Sequence, residues 1–431
     1  MIRTLLATTA LVLSLAACGS PSDPKLNQTG PRPDLPGQDQ TLIPPIKISP
    51  PGPWNGETPT VPAGFTVTAF ASDLKIPRQM LVLPNGDVLV AEGSGGADAP
   101  KMRPKDVIAG VIKARGKSKV KGGNRITLLR DANNDGTPEV RTVLVENLNA
   151  PYGLAYVDGF LYVAEQDALV RFPFQPGQTG IAAPAQQVTA LPSQINHHWT
   201  KSLAASADGR LLYVGIGSNS NVGERGMAVE QDRAVVWEID RLTGAHRTIA
   251  EGIRNPTALA IEPTTNLLWS VVNERDELGP QLVPDYLTQV RDGAFYGWPY
   301  SYWGKTLDPR VHPQKPEMVA RAIAPDYALG SHVAALGLDF ARDGGFGGRF
   351  ATGAFVGMHG SWNRQDPSGY KVVFIPFANG RPAGAPVDFA TGFLKDGNAR
   401  GRPVGVAFDP AKRVLLVADD VSNTVWRIAS G

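Results

Sequence analysis

Short apolar segments alternate with turns rich in Gly, Asp and Asn along most of the chain. Each unit consists of an apolar strand, a tight turn and a second apolar strand, which is the pattern of an antiparallel hairpin. Six such units are present, at Met80–Glu92, Gly153–Glu165, Ser202–Ser218, Ala258–Val271, Gly337–Gly357 and Gly405–Asp420. Because repeated turn-bounded strands are typical of radially arranged sheets, the pattern predicts an all-β fold, a six-bladed β-propeller. A pair of β-sandwiches is the alternative.

Composition and charge agree with this fold and exclude one class of function. The 431 residues include 47 Gly and 37 Pro, which suit many turns, and only 19% of residues are charged. A predicted strand at Phe65–Phe70 can close the ring beside the last one, at Val425–Ile428. The formal net charge of +2 is unlike that of nucleic-acid-binding domains, which carry clustered Lys and Arg. We therefore expect no nucleic-acid partner.

Residues 1–17 have the pattern of a secretory signal peptide. Arg3 precedes an apolar run from Leu5 to Leu15, which is shorter than the roughly 20 residues of a transmembrane helix. The Leu-Ala-Ala-Cys sequence that ends at Cys18 looks like a bacterial lipoprotein box, and Cys18 is the only cysteine of the chain. We expect a lipid-anchored protein of the cell envelope, on the outer membrane or periplasmic side in a Gram-negative host. A plain signal peptide is the alternative.

Residues 18–60 are predicted to form a lipidated tether, and residues 61–431 to form the propeller. Eleven prolines lie between residues 21 and 59. A segment of this composition favours an extended conformation without helix or sheet. The tether is therefore expected to hold the propeller away from the membrane surface.

Polar groups with catalytic or binding chemistry stand beside the predicted strands. His197 and His198 precede the third unit, and an imidazole is suited to general-base catalysis because its pKa lies near neutrality. Arg254, before the fourth unit, presents a planar fork that fits carboxylates, although a purely structural arginine is the alternative. The acid-rich segment 273–285 offers oxygen ligands for Ca²⁺. Arg402 stands before the last unit in the same way.

The order of these groups resembles the soluble pyrroloquinoline quinone (PQQ) glucose dehydrogenases and their sorbosone-dehydrogenase-like relatives. The resemblance covers nearly all of residues 65–429 in architecture, and a few patches match closely. Those patches are His198 before Ala207-Asp208-Gly209, Arg254-Asn255-Pro256, Gly279-Pro280 with Asp285 and Tyr296-Gly297-Trp298-Pro299, and Arg402. The segments Glu274–Glu277 and Gly360–Asn363 are most similar to the sorbosone-type branch.

The resemblance implies a catalytic group of three residues. His198 would be the base that takes the hydroxyl proton while hydride moves to the quinone. Asp285 would orient that imidazole, as an acid partner commonly does. Arg254 would hold the cofactor and stabilise negative charge on its quinone oxygen.

The resemblance also implies the residues that bind PQQ and Ca²⁺. Asn255 would contact the cofactor, and Arg402 would contact one of its carboxylates. Gly279 and Pro280 would offer backbone carbonyls to a Ca²⁺ ion. His359 stands nearest to the place of a family lysine and is expected to replace it. Two positions of the family are not matched in this chain. The place of a family glutamine falls near Leu148 or Asn149, and the place of a second family arginine falls near Val404.

These features predict a PQQ- and Ca²⁺-dependent oxidoreductase on the periplasmic side. Its substrate would be a sugar, an aldose or another aldehyde that resembles sorbosone. The alternative is a non-redox envelope propeller, either a ligand-binding protein or a Ca²⁺-dependent lactonase.

The basic segment Lys101–Lys121 holds eight Lys or Arg and one Asp. This composition predicts a solvated loop, and the alternative is a docking surface for an acidic electron carrier.

The segment Asp131–Gly136 reads Asp-Ala-Asn-Asn-Asp-Gly and spaces its oxygens like the first half of an EF-hand loop. Thr142 stands at the twelfth position, where an EF-hand has a glutamate. The flanking residues have strand patterns. A β-hairpin turn is therefore the first prediction, and a Ca²⁺-binding turn is the second.

Overall fold

The computed structural model describes residues 22–40, 47–96, 114–116, 118 and 120–431. Cys18, the predicted signal peptide and most of the basic segment Lys101–Lys121 lie outside the described residues. Within the described ranges, no helix has both the length and the apolar character needed to cross a membrane.

The chain begins with two strands that belong to blades formed later in the sequence, β1 (Thr29–Gly30) and β2 (Phe65–Ala71). The first three blades then follow one another as antiparallel sheets. Blade 1 consists of β3 (Pro77–Val82), β4 (Val88–Glu92), β5 (Arg125–Arg130) and β6 (Val140–Val145). Blade 2 consists of β7 (Gly153–Val157), β8 (Phe160–Ala164), β9 (Ala168–Pro173) and β10 (Gln186–Ala190). Blade 3 consists of β11 (Lys201–Ala205), β12 (Leu211–Ile216), β13 (Val235–Asp240) and β14 (His246–Glu251).

The last three blades carry more insertions. Blade 4 consists of β15 (Pro256–Ile261), β16 (Leu268–Val272), β17 (Pro284–Gln289) and β21 (Tyr327–Ser331), with β18 (Ala294–Phe295), β19 (Ser301–Tyr302), β20 (Thr306–Leu307) and helix α1 (Pro316–Arg321) between the last two. Blade 5 consists of β22 (Ala335–Phe340), β23 (Gly353–Met358), β24 (Lys371–Ala378), β25 (Arg381–Pro382) and β26 (Val387–Ala390). After the short hairpin β27 (Leu394–Lys395) and β28 (Asn398–Ala399), blade 6 consists of β29 (Pro403–Asp409), β30 (Val414–Asp419) and β31 (Thr424–Ser430). Two 3₁₀ turns lie at Met227–Glu230 and Gly348–Phe350.

The ring closes between the two ends of the propeller sequence. Strand β2 pairs antiparallel with β31, so that Phe65 lies opposite Ser430 and completes blade 6. The first strands of the six blades contact one another in a cycle, from β3 through β7, β11, β15, β22 and β29 back to β3. The six-bladed propeller and the closing strand predicted from the sequence are both confirmed.

The core lies between neighbouring blades rather than in one central cluster. Blades 4 and 5 bury Trp269, Phe340 and Phe377 against each other, with ring centroids 5.2 Å apart for each contact of Phe377. Blades 5 and 6 bury a second aromatic cluster that includes Phe355 and Phe408. Packing of apolar sheet faces at roughly 25 cal/mol per Å² therefore fixes each blade to the next.

The antiparallel pairing gives the central channel two different ends. All six first strands begin at one end, which we call the site mouth, and finish in tight turns at the other end, the hairpin mouth. A cavity of about 1040 Å³ occupies the channel and is lined mainly by hairpin-mouth residues such as Asn85, Asp339, Arg342 and Lys412. The predicted site residues do not line this cavity.

The described part of the predicted tether packs on the propeller. Strand β1 pairs with β21 at the outer edge of blade 4. The Asp39 N–H donates to the Leu278 carbonyl at 3.0 Å, and the Lys47 N–H donates to the Trp362 carbonyl at 2.9 Å. Trp54 packs edge-on against Trp426, with ring centroids 5.0 Å apart. Residues 22–40 and 47–60, which we call the N-terminal strap, thus differ from the tether expected to lack helix and sheet. Their backbone N–H groups and the Trp54 ring find partners on the blades.

Candidate functional site

Strand direction brings the predicted site residues to the site mouth. His198, Asn255 and Arg402 come shortly before the first strands of blades 3, 4 and 6. His359 directly follows β23, whose last residue pairs with the first residue of β22. Asp285 is the second residue of β17, which runs parallel to β15. Residues more than 200 positions apart therefore meet around one opening.

His198 is held in one tautomer. Its Nδ1 lies 2.7 Å from the Ser218 carbonyl oxygen and 3.1 Å from the Ser218 hydroxyl, which itself donates to the Ser220 carbonyl. A carbonyl only accepts, so Nδ1 carries the proton and the lone pair is on Nε2. Among the described residues, no hydrogen bond occupies Nε2. Burial, followed by the nearby Arg254 guanidinium, lowers the pKa of His198 well below 6.5, so the ring is neutral at pH 7.

Arg254 is a fixed positive charge beside this imidazole. Its side chain is 4% exposed, and it donates to the carbonyls of Asn221, Asn273 and Glu274 at 2.7–3.1 Å. The Arg254 carbonyl accepts from the Ser218 N–H at 2.8 Å, which links the arginine to the residue that holds His198. The guanidinium is thus positioned mainly by neutral oxygens, with the Asp276 carboxylate 3.8 Å from its Nη2, and it places its charge close to the base.

Asn255 and His198 approach the same glycine. A Cβ at Gly217 would collide with Asn255 Oδ1 and with His198 Cβ, so this position requires glycine. The Asn255 side chain is buried, and its Oδ1 has no hydrogen-bond partner within the described structure. Since a buried polar atom without a partner costs about 1–3 kcal/mol, Asn255 is suited to binding a group that is brought to the site.

Asp285 does not contact His198. Its Oδ1 accepts from the Glu274 N–H, and its Oδ2 accepts from the Ala334 N–H, each at 2.8 Å. Burial raises the pKa of Asp285 to about 7, against the effect of these two bonds and of nearby His332. The orienting partner of His198 in this structure is Ser218, and Asp285 instead joins the loop after β16 to the loop after β21.

The predicted metal position has a histidine beside it that the sequence analysis missed. The Gly279 carbonyl accepts from His332 Nε2 at 3.0 Å, and Pro280 is buried. On the other side of the ring, Asn363 Nδ2 lies 3.2 Å from His332 Nδ1 and donates to the Asp276 carboxylate at 2.8 Å. The carbonyl of Gly279 keeps its second lone pair.

Arg402 and His359 lie in a second charged group across the mouth. His359 Nε2 is 3.0 Å from the Asp420 carboxylate, which also pairs with Arg78 at 2.8 Å. Burial would raise the pKa of Asp420, but His359, Arg78 and Arg402 outweigh it and lower that pKa to about 2. Burial lowers the pKa of His359 despite this carboxylate. Arg78 lies 5.5 Å from the ring of Trp199, next to His198 in sequence.

Arg402 is buried but incompletely bonded. It is 2% exposed and stacks over the ring of Tyr370 at 4.8 Å. Its two terminal nitrogens reach the carbonyls of Gly360 and Ser49 only at 3.4 Å, and its Nε has no partner among the described residues. A buried guanidinium with unused donors is suited to binding a carboxylate.

The acid-rich loop after β16 is partly structural. Arg275 is fully buried and pairs with Glu274 at 3.0 Å and with Asp308 at 3.2 Å. It also donates to the carbonyls of Pro299 and Ser301. Glu274 is therefore paired with an internal cation, which removes it from the acid-rich segment 273–285 as a metal ligand, and Asp308 is held by both Arg275 and Arg310.

Four residues of the site were not found from the sequence. Ser218 is the last residue of the third unit and has no distinctive pattern, while His332 follows a strand that the repeats did not include. Arg78 and Asp420 are 342 residues apart. The only available signal was position, because each of these residues stands at the site-mouth end of a strand.

Comparisons with known proteins agree with this architecture. A family model described as TrAA12-like matches residues 59–286 and 312–430. An uncharacterised protein of Borreliella burgdorferi is 28% identical over 299 residues, which are 66% of this chain and 77% of that protein. A pyrroloquinoline quinone-dependent pyranose dehydrogenase of Coprinopsis cinerea is 34% identical over 130 residues, which are 25% of this chain and 17% of that protein.

Solved structures share the fold. The holo form of the pyranose dehydrogenase PQQ domain from Coprinopsis cinerea superposes with a TM-score of 0.69 at 21% identity, covering 89% of this chain and 100% of that one. The PQQ-bound aldose sugar dehydrogenase of Streptomyces coelicolor has a TM-score of 0.54 at 15% identity, covering 86% of this chain and 99% of that one. The resemblance to PQQ-dependent sugar dehydrogenases is confirmed at the level of the family, and the chain belongs to the TrAA12-like family.

Proposed function

We propose that this protein is a PQQ-dependent dehydrogenase that oxidises a sugar, with His198 as its general base. The observation that carries the proposal is the neutral His198 ring, whose Nδ1–H is fixed on Ser218 and whose Nε2 lone pair is available. PQQ dehydrogenases of sugars are among the relatives by sequence and by structure. A proton acceptor beside a fixed positive charge suits the oxidation of a hydroxyl group.

The residues of the site mouth fit an anionic quinone that carries carboxylates. Arg402 has unused donors for a carboxylate. Asn255 and Asn363 each have a buried side-chain oxygen without a partner in the described structure, and these oxygens would accept from an N–H or O–H of the bound group. Arg402, Asn255 and His359 would hold the group, and Arg254 would keep a positive charge next to it. When bound, PQQ would supply the two-electron acceptor for hydride from the sugar carbon.

The roles of the chain's own residues follow from their contacts. His198 Nε2 would take the proton of the sugar hydroxyl, because its pKa is low enough to keep the lone pair free at pH 7. Arg254, held by three backbone carbonyls and by the Asn221 side-chain oxygen, acts through its charge and its fixed position. Ser218 holds the tautomer of His198. Asp285 is a positioning residue for the loop that carries Glu274 and thereby for Arg254.

Calcium at Gly279 and Pro280 is part of the proposal. Backbone carbonyls are ligands that Ca²⁺ accepts, and the Asp276 carboxylate lies close by through Asn363 and His332. The His332 bond to the Gly279 carbonyl would be shared with the ion or replaced by it.

The test is a titration of the purified protein with PQQ in the presence of Ca²⁺, followed by quinone absorbance, with dye reduction measured on a panel of sugars. His198→Gln is expected to bind PQQ and to lose turnover. His197→Gln is the matched control, because His197 is the exposed neighbour, and it should keep turnover. Arg402→Met removes charge-assisted bonds of about 1.5–3 kcal/mol and should weaken PQQ binding by about 10- to 100-fold.

Two outcomes would reject the proposal. Failure of the wild-type protein to bind PQQ with Ca²⁺ present would favour a non-redox propeller, a ligand-binding protein or a Ca²⁺-dependent lactonase. Equal turnover in His198→Gln and wild type would show that His198 is not the base.

We further propose a sorbosone-like aldose as substrate and an envelope location through lipidation of Cys18. The location is tested by fatty-acid labelling of the wild type and of Cys18→Ser, and only the wild type should be labelled.

A further inference from the structure

The turn between β5 and β6 gathers three acidic side chains at the hairpin mouth, far from the proposed active site. Asp131, Asp135 and Glu139 each place one carboxylate oxygen within 4.8 Å of one from each of the others. Asp131 is buried, whereas Asp135 and Glu139 are exposed. The β-hairpin turn predicted from the sequence is present, and its acids converge on one point.

Asp131 contains an oxygen that the protein leaves without a partner. Its Oδ2 accepts from the Gly136 N–H at 3.1 Å, while its Oδ1 is buried and has no hydrogen bond within the described structure. The side chain of Asp131 is only 2% exposed. A buried carboxylate oxygen without any donor costs free energy, unless a cation occupies the space in front of it.

The corresponding hairpin of blade 3 shows how such a turn is satisfied without a cation. It also opens with an aspartate, Asp240, at the end of β13. There Asp240 Oδ1 accepts from the Leu242 N–H and from both the N–H and the hydroxyl of Thr243, at 2.9–3.0 Å. The turn after β5 has the opening aspartate but lacks these donors to Asp131 Oδ1.

The positive charges near the turn do not balance its three carboxylates. Lys412 Nζ is 4.0 Å from Asp131 Oδ2 and donates to the Asp131 carbonyl at 3.2 Å. The Arg427 side chain lies beside Gly136, where a Cβ would come within 3.3 Å of its Nη1. Neither cation forms an ion pair shorter than 4.0 Å with the three acids in the described structure, so the cluster keeps a net negative charge.

We propose that the β5–β6 turn binds a Ca²⁺ ion through Asp131, Asn133, Asp135 and Glu139. These side chains stand at positions 1, 3, 5 and 9 of the turn, and Gly136 stands at position 6 with φ +91°. Oxygen ligands at alternating positions around a glycine are the arrangement that Ca²⁺ prefers in loops. Glu139 supplies the last carboxylate in place of the missing acid at Thr142.

The bound ion would also strengthen the junction where the ring closes. Lys412 and Arg427 belong to blade 6, whereas the turn belongs to blade 1. With the ion in place, the carboxylates of the turn no longer repel one another, and the turn stays ordered against blade 6. Ca²⁺ should therefore raise the unfolding temperature of the protein through this site.

The test is a Ca²⁺ titration of the purified protein by calorimetry, without PQQ, on the wild type, Asp135→Asn and Glu139→Gln. Both variants change exposed side chains, so they should fold. Each is expected to bind Ca²⁺ at this site at least about tenfold more weakly than the wild type. Asp240→Asn, which makes the same change in the matching turn of blade 3, should bind like the wild type.

The result that would overturn the proposal is equal Ca²⁺ stoichiometry and affinity in the wild type and in both variants. Failure of the wild type to bind Ca²⁺ at about millimolar concentrations would overturn it as well. The proposed ligands at Gly279 and Pro280 are backbone carbonyls at the other mouth, so Glu139→Gln does not affect them. Loss of PQQ activity and loss of this site are therefore measured separately.

Discussion

Asp285→Asn should change how the stability of the protein depends on pH. Asp285 is buried, and burial raises its pKa from 3.8 to about 7. The folded state therefore holds a proton on this carboxyl at a pH where the unfolded chain has released it. Stability from this group is fully present below the unfolded pKa and is lost as the pH rises through the folded pKa.

The size of the effect follows from the two pKa values. A raise of about 3 pKa units corresponds to about 4 kcal/mol in total. Between about pH 5 and pH 8 the wild type should lose about 3 kcal/mol of unfolding free energy from Asp285 alone. Asparagine does not titrate, and it replaces one of the two accepting oxygens by an NH₂ group. That change costs about 1 kcal/mol at every pH, because one of the two N–H donors loses its acceptor.

The assay is urea unfolding of the wild type and of Asp285→Asn across this pH range. At the acidic end of the range, Asp285→Asn should be less stable than the wild type. At the alkaline end, the difference in unfolding free energy should have shifted in favour of the variant by about 3 kcal/mol. Asp240→Asn is the control, because its carboxyl has a lowered pKa and is ionised throughout. Parallel curves for the wild type and Asp285→Asn would refute the reasoning, and would mean that the two N–H donors outweigh burial and keep the carboxylate charged.

Three further predictions concern the base, the buried arginine and the strap. Because the pKa of His198 is lowered well below 6.5, turnover should fall on the acid side only well below pH 6.5, and an acid limb at or above that value in a kcat profile would contradict the assignment. Arg275→Met leaves the buried Glu274 carboxylate without its cation and leaves Asp308 paired with Arg310, so it should cost about 3–5 kcal/mol in urea unfolding. Arg247→Met, which breaks two exposed pairs, should cost about 1 kcal/mol or less, and similar losses would argue against the buried ion pairs. Trp54→Ala removes the ring contacts with Phe393 and with Trp426 of blade 6, so limited proteolysis should cut the N-terminal strap faster than in the wild type, and unchanged cleavage would show that the strap is not held there.

Much of the fold was determined by local sequence patterns. The alternation of apolar strands and Gly/Asp turns is set by residues close in sequence, so six units and their hairpins could be read directly. The order of His198, Arg254 and Arg402 relative to those units also follows from the chain, because strand direction alone assigns each of them to the same mouth. The opening aspartate of the β5–β6 turn, Asp131, was visible in the same local way.

The contacts across the mouth were decided only by the tertiary structure. Arg78 meets Asp420 and His359 because the ring closes and brings blade 1 beside blade 6. The proline-rich segment was expected to be extended, since its composition disfavours strands and helices. It docks because partners such as Trp426 lie on a surface that exists only after the blades have packed.

The roles of individual site residues depend on the same long-range geometry. The sequence could name an acid for His198, but Asp285 instead accepts two backbone N–H groups from loops that the fold brings together. Ser218 takes the position beside the imidazole. Hydrogen bonds and pKa values depend on distances of a few ångström between residues far apart in sequence, and those distances are fixed only when the six blades close into a ring.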